Sequence, residues 1–241
     1  MVFIFIALTF FSALSGGLLG LKWKDKMHLT LGFTAGVLIA VVAFDIFPEL
    51  VKMSAQTGMS VRLPMIALVV GFLLFHIAEK ILLIHHAHED QYGHHHHPTV
   101  GVFSALALSA HSFLDGVGIG LGFQISPSLG IAVAIAVLAH DFTDGLNTVS
   151  LMLTHKNSPK KAFKFLLLNA FAPVLGGLST LFIKFSPEFL NLYLGFFAGF
   201  LLYIGAADIL PEAHSHNSSL KTVLMTILGA AFVYIVTGIL G

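Results

Sequence analysis

The chain contains no cysteine. That excludes disulfide staples, thiolate metal sites and cysteine nucleophiles, and it leaves no trace of a redox compartment. Charge is also scarce: 10% Asp, Glu, Lys and Arg, against roughly 25% in a soluble domain. The 12 basic and 12 acidic residues balance, so the basic surplus of a nucleic-acid partner is missing. The H-E-x-x-H helix of common zinc hydrolases is missing too. What is present is a chain of 241 residues that is 56% hydrophobic, with apolar runs long enough to cross a bilayer as helices. Its 14 histidines are a high count, and seven of them fall between His85 and His97.

The apolar runs predict an all-α membrane protein of eight spans, at about 1–20, 29–50, 63–84, 100–122, 129–153, 162–184, 189–210 and 220–240. The first is not a signal peptide, because its basic residues Lys22, Lys24 and Lys26 follow the apolar run instead of preceding it. Of the twelve basic residues, Lys22, Lys24, Lys26, Lys80, Lys156, Lys160, Lys161, Lys164 and Lys221 flank odd-numbered loops. Only Lys52, Arg62 and Lys184 flank even ones. The positive-inside rule then puts the odd loops in the cytoplasm and both termini outside a cell membrane.

Two internal repeats organise the chain. Residues 32–50 (GFTAGVLIAVVAFDIFPEL) and 195–213 (GFFAGFLLYIGAADILPEA) share ten of nineteen positions at one offset. They occupy spans two and seven, which run in opposite directions. Spans four and five also match, through Ala110-His111-Ser112-Phe113-Leu114-Asp115-Gly116 and Ala139-His140-Asp141-Phe142-Thr143-Asp144-Gly145. The expected plan is a single domain over 1–241. Three helices and their inverted copy flank a central antiparallel pair, a recurring plan in transporters with midplane sites.

The central repeat carries the chemistry. His111 with Asp115, and His140 with Asp144, stand four residues apart and so share a helix face. Both histidines lie about eleven residues into their spans, roughly 16–17 Å deep in a core of ~30 Å. Ionisable groups there cost about 2.5–3.5 kcal/mol each even on the lenient scale, which marks them as functional. Imidazole with carboxylate suits Zn²⁺, Fe²⁺ or Mn²⁺ better than all-oxygen cations. A bland alternative is that each His–Asp pair merely stabilises a helix hairpin. Asp141, about 100° around from His140, and its counterpart Ser112 form a weaker neighbouring position, or else a hydrogen bond between them. Asn147 joins the pathway or makes an interhelical contact. Gly116, Gly118, Gly120 and Gly122 permit close helix approach.

Asp45 with Glu49, and Asp208 with Glu212, bracket a proline in each repeat copy. The predicted orientation puts the first pair at an outer mouth and the second at an inner mouth, with His214 and His216 extending the inner one. The alternative is that D-I-x-P-E caps and kinks a helix end. His76 and Glu79 sit one turn apart in span three, beside the snorkelling Lys80. His85, His86, His88, His94, His95, His96 and His97 belong to a polar stretch, 85–98, without periodicity. It is expected to be a mobile cytoplasmic loop that contacts metal at the exit.

These residues together resemble the ZIP (Zrt-, Irt-like protein) family of divalent metal transporters. The family pattern on helix four is H-N-x-P-E-G, met here by His111 through Gly116. On helix five it is H or Q, then N, D or E, then x-P-E-G, met by His140 through Gly145. The DIFPE and DILPE strings resemble the family's helices two and seven. The resemblance implies a 3+2+3 ZIP-like bundle, a histidine-rich cytoplasmic loop, and a primary metal site of His111, Asp115, His140 and Asp144. This chain departs from the pattern at Asp115 and Asp144, where the family has Glu, and at Leu114 and Thr143, where it has Pro. Ser112 replaces an amide, and Ala172 precedes Pro173 where bacterial members carry a second-site Glu.

The resulting expectation is transport of a divalent metal toward the cytoplasm, with Zn²⁺ first and Fe²⁺ or Mn²⁺ next, and no enzymatic activity. No organic cofactor is implied, and the partners are the metal ion and the lipid bilayer, with a homodimer left open. The rival readings are an intramembrane metal-dependent hydrolase, a haem carrier ligated by His111 and His140, and a sensor without transport.

Overall fold

The computed structural model describes residues 1–19, 27–90, 98–215 and 219–240; the side chains at 27, 79, 82–90 and 240 lie outside that description. Among the described residues, eight helices follow one another. They are α1 (Val2–Leu19), α2 (Met27–Val41, a π turn Val42–Ile46, then Phe47–Thr57), α3 (Arg62–Asp90), α4 (Pro98–Ile125), α5 (Pro127–Thr154), α6 (Pro159–Thr180), α7 (Pro187–Leu202, a π turn Tyr203–Ile209, then Leu210–Ser215) and α8 (Leu220–Leu240). Seven are long and apolar enough to span a membrane, and α3 contributes an apolar helix over Arg62–Ala78. Large apolar side chains such as Val69 and Leu73 on α3, and Leu224, Ile227 and Ile235 on α8, point outward. A soluble protein would bury them; a bilayer supplies their solvent.

Local sequence explains the helix starts. α5, α6 and α7 each begin at Ser-Pro: Ser126, Ser158 and Ser186 accept from the backbone N–H of Leu129 (3.2 Å), Lys161 (3.3 Å) and Phe189 (3.3 Å). The proline occupies the first turn, where no N–H partner is needed. α2 ends at Gly58, whose φ of 70° is the left-handed cap that glycine adopts freely.

Several boundaries differ from the sequence expectation. The span predicted to end at residue 50 continues to Thr57, and the one predicted to end at 210 continues to Ser215. D-I-x-P-E therefore does not end a helix. It sits at a π turn within the span. The cause is Pro48 and Pro211, which lack an N–H and whose rings crowd the carbonyl four residues back. The ladder opens to five-residue spacing there: Phe47 N–H donates to Val42 O, and Leu210 N–H donates to Gly205 O. The stretch expected to be a loop from 85 is helical as far as Asp90, because no glycine or proline interrupts it before Gly93. The side chains of His85, His86 and His88 lie outside the described set, as do His94, His95, His96, His97 and His216 altogether.

The inverted repeat is written in the helix crossings. A Cβ on Gly16 would strike the carbonyl of Phe142, and one on Gly176 would strike that of Phe113. Gly145 faces Ala13 O as Gly116 faces Pro173 O; Gly17 meets Leu166 as Gly177 meets Ile6. In each case α1 corresponds to α6 and α4 to α5 at a constant residue offset. In the other half, Gly36 meets Thr226 O where Gly199 meets Leu68 O, and Gly229 meets Phe33 O where Gly71 meets Phe196 O. Here α2 corresponds to α7 and α3 to α8. Small residues thus set backbone-to-backbone approaches in symmetric pairs.

Packing sorts the helices into two groups. α1, α4, α5 and α6 form one bundle, while α2 packs on α8 and on α7, and α3 packs on α7. Gly118 lies against the Phe197 ring and Gly120 against Thr180, so the glycine stripe of α4 is a packing surface.

Gly199→Val is expected to cost about 2 kcal/mol or more, because overpacking a backbone contact forces two helices apart. Gly238→Val, whose Cβ would meet nothing within 4 Å, is the control. Monodisperse yield and melting temperature in detergent read the difference; equal behaviour of the two variants would mean that these crossings are not tight.

Candidate metal centre

α4 and α5 are each 28 residues long, and His111 and His140 are each the fourteenth residue from the N-terminus. The antiparallel pair thus brings both histidines to the middle of helices about 42 Å long. His111, Asp115, His140 and Asp144 converge, each offering one ligand atom, with all four atoms within 4.8 Å of one another. His111 Nε2 lies 3.3 Å from Asp115 Oδ2 and 3.6 Å from Asp144 Oδ2; His140 Nε2 lies 3.3 Å and 3.9 Å from the same two oxygens. Ligands of a tetrahedral zinc ion, with bonds of about 2.0–2.2 Å, stand about 3.4 Å apart. The quartet is near that spacing.

The donor chemistry also fits a cation. His140 is fully buried, and its Nδ1 pairs with Ala136 O at 2.9 Å. With the proton held at Nδ1, the Nε2 lone pair faces the two carboxylates. Asp115 is fully buried and Asp144 nearly so. Asp115 Oδ1, Asp144 Oδ2 and His111 Nε2 are buried without a hydrogen-bond partner. In the deprotonated form that metal ligation requires, two carboxylates and two neutral imidazoles sum to −2, the charge that one divalent ion neutralises. Without a cation, two buried carboxylates this close would repel in a low-dielectric site. The pairing is not confined to one helix: Asp115 of α4 is as close to His140 of α5 as to His111.

The other bundle supplies the wall. The Phe200 ring of α7 meets His111 edge-on with centroids 4.8 Å apart, and the Phe75 ring of α3 does so at 6.5 Å. His111 keeps 16% of its side chain exposed, so the quartet lies at the seam between the bundles. Thr34 of α2 crosses that seam and donates to Ala139 O at 2.9 Å, one residue from His140.

The remaining sequence candidates divide. Asp141 is buried with neither carboxylate oxygen partnered. Ser112 does not bond to it; its hydroxyl lies 3.0 Å from both Leu108 O and Asn169 Oδ1. Asp45 is half-buried with Oδ2 unpartnered, and it lines a cavity of about 700 Å³ together with Glu49, Ser126, Ser128 and Tyr234. Glu49 pairs with the exposed Lys52 at 3.0 Å. Asp208 and Glu212 are exposed near the end of α7, and His214 Nδ1 pairs with Leu210 O at 2.9 Å. As α2 and α7 run oppositely, the two acidic pairs lie toward opposite ends of the bundle. His76 sits against Tyr203 at the second π turn, with ring centroids 5.7 Å apart. Sequence reasoning passed over Asn169 and Thr148, because one buried amide and one hydroxyl among apolar residues give no pattern.

Residues 85–237 match the family model described as ZIP Zinc transporter. The chain is also 30% identical over 245 residues to the zinc transporter ZupT of Chlorobium chlorochromatii (strain CaD3), with 88% of each chain covered.

Proposed function

Because the chain belongs to the ZIP zinc transporter family, we propose that it moves a divalent transition metal, zinc first and iron or manganese next, across a cell membrane toward the cytoplasm. Membership in a transporter family sets the hydrolase and haem-carrier alternatives aside. The observation that carries the reading is the quartet of His111, Asp115, His140 and Asp144, buried at mid-helix on the seam between two bundles. A hydrated ion enters at the outer cavity by Asp45 and Glu49, sheds water, and exchanges it for two imidazoles and two carboxylates. Relative movement of the bundles then opens the seam toward Asp208, Glu212 and His214. Asp141 and Ser112 amount to a weak second position. The histidines at 85, 86, 88 and 94–97 hold metal loosely on the exit side. The whole chain acts as one transmembrane unit.

Support for the metal class lies in the ligand set. Mixed nitrogen and oxygen donors favour zinc and its first-row neighbours, while magnesium and calcium prefer all-oxygen shells. The test is uptake into proteoliposomes loaded with a metal-sensitive dye, with Zn²⁺, Fe²⁺, Mn²⁺ and Mg²⁺ offered in competition. Saturable zinc flux, blocked by iron or manganese and indifferent to magnesium, is expected. Absence of flux for every transition metal would remove the proposal.

The orientation rests on nine of the twelve basic residues flanking odd loops. The buried Asn157 donates to Pro98 O at 2.9 Å and is a poor labelling site, whereas Ser60 and Lys160 are exposed. Ser60→Cys should react with an impermeant maleimide on intact cells, and Lys160→Cys only after lysis. The reverse pattern would invert the topology.

A further inference from the structure

We infer that Asn169 holds the two ligand-bearing helices at a fixed separation and thereby sets which cation radius the quartet accepts. Asn169 lies on α6, which contributes no ligand, and it is fully buried together with Ser112 and Thr148. Its Oδ1 accepts from the Ser112 hydroxyl of α4 at 3.0 Å, and its Nδ2 donates to the Thr148 hydroxyl of α5 at 2.8 Å. Ser112 stands three residues before Asp115, and Thr148 four residues after Asp144. The amide therefore ties α4 to α5 within one turn of each ligating carboxylate. An amide plane with a donor at one end and an acceptor at the other has one length. The Ser112 hydroxyl keeps Leu108 O of its own helix at 3.0 Å, but the fully buried Asn169 amide loses both of its partners if the helices part, and that loss resists separation.

The symmetry of the fold makes the brace stand out. The repeat relation that carries His111 onto His140 and Asp115 onto Asp144 also carries Ser112 onto Asp141 and Ile119 onto Thr148. The relation between α1 and α6 carries Thr9 onto Asn169. Thr9 keeps its hydroxyl on its own helix, donating to Ile6 O at 2.8 Å, and Ile119 has no polar group. The metal ligands are duplicated and the brace is not. One side of the quartet is clamped while the other, at Asp141, has no hydrogen-bond partner. The fold itself does not require the brace, and its position points to the geometry of the quartet. Asn169 is a positioning residue: it touches the ligand helices and not the metal.

This inference rests on the quartet's being the site of the transported metal. The test measures affinity for Zn²⁺ and for the larger Cd²⁺ on the purified full chain in detergent, for the parent, Asn169→Leu, Thr148→Val and His111→Ala. A rigid quartet resists widening, so releasing the brace should help cadmium more than zinc. The ratio of zinc to cadmium affinity is expected to fall about tenfold in Asn169→Leu. It should fall in the same direction, by a smaller factor, in Thr148→Val, which is nearly isosteric and carries the test alone if the leucine variant does not fold. A parental ratio in folded Thr148→Val, or equal losses for both metals, would overturn the inference and leave Asn169 a structural residue. Failure of the site reading looks different: His111→Ala would then bind zinc like the parent.

Discussion

Zinc uptake by His111→Ala is expected to fall about 100-fold or more while the folded protein is recovered in normal yield. Loss of an outer-sphere partner alone typically costs 10–100-fold in metal affinity, and a direct ligand exceeds that. The choice of histidine matters. His140 is fully buried, bonded to Ala136 O and in contact with Asp115, so its truncation leaves a cavity and strips one carboxylate of a neighbour. His111 keeps part of its side chain exposed at the seam and stands against Phe75 and Phe200. Its removal subtracts a ligand with less damage to packing. Flux in proteoliposomes and metal stoichiometry in detergent should fall together. A His111→Ala variant that binds and carries zinc like the parent would make the cluster structural and remove the central support for the transport path.

The two carboxylates are expected to be unequal, and Asp115→Asn should weaken zinc binding more than Asp144→Asn. Both substitutions keep shape and remove one charge. Asp115 Oδ2, however, lies 3.3 Å from both imidazole nitrogens, whereas Asp144 Oδ2 lies at 3.6 and 3.9 Å. Asp115 is also the more deeply buried. With two neutral imidazoles, either variant lowers the cluster from −2 to −1 and leaves a divalent ion half-compensated. A loss of about tenfold for Asp144→Asn and more for Asp115→Asn follows from one lost charge-assisted ligand. Titration calorimetry with zinc ranks them, and the opposite order would mean that the ion sits nearer Asp144. In the parent, affinity should fall as pH is lowered, because protons compete with the metal for imidazole and carboxylate alike. Flat affinity between pH 7.5 and 5.5 would speak against these ligands.

Much of this was legible in one dimension for a physical reason. Membrane helices are long and nearly straight, and their backbone bonds close within the helix, so composition alone announces eight of them. On a helix, sequence spacing is geometry, so His111 with Asp115 and His140 with Asp144 had to share faces. Identical depth in two antiparallel spans was enough to bring the four toward one point. The matches between 32–50 and 195–213, and between spans four and five, disclosed the inverted repeat before any coordinate did.

Tertiary structure decided what depends on which helices touch and at what separation. Sequence could not say that Asp115 would sit as close to the neighbouring helix's histidine as to its own, nor that Ser112 would turn to Asn169 and leave Asp141 without a hydrogen bond. Pro48 and Pro211 left a capped, kinked helix end as one of two readings, yet the chain absorbs each in a π turn and runs on, because in lipid a widened ladder is cheaper than an open one. The glycine stripes gave no hint of partner. Only the crossing of α1 over α5 and of α4 over α6 shows that Gly16, Gly116, Gly145 and Gly176 each make room for a specific carbonyl. Sequence fixed which groups lie on each helix face, since that follows from covalent order and one helical period. The distances between faces belong to packing, which is set jointly by side chains far apart along the chain.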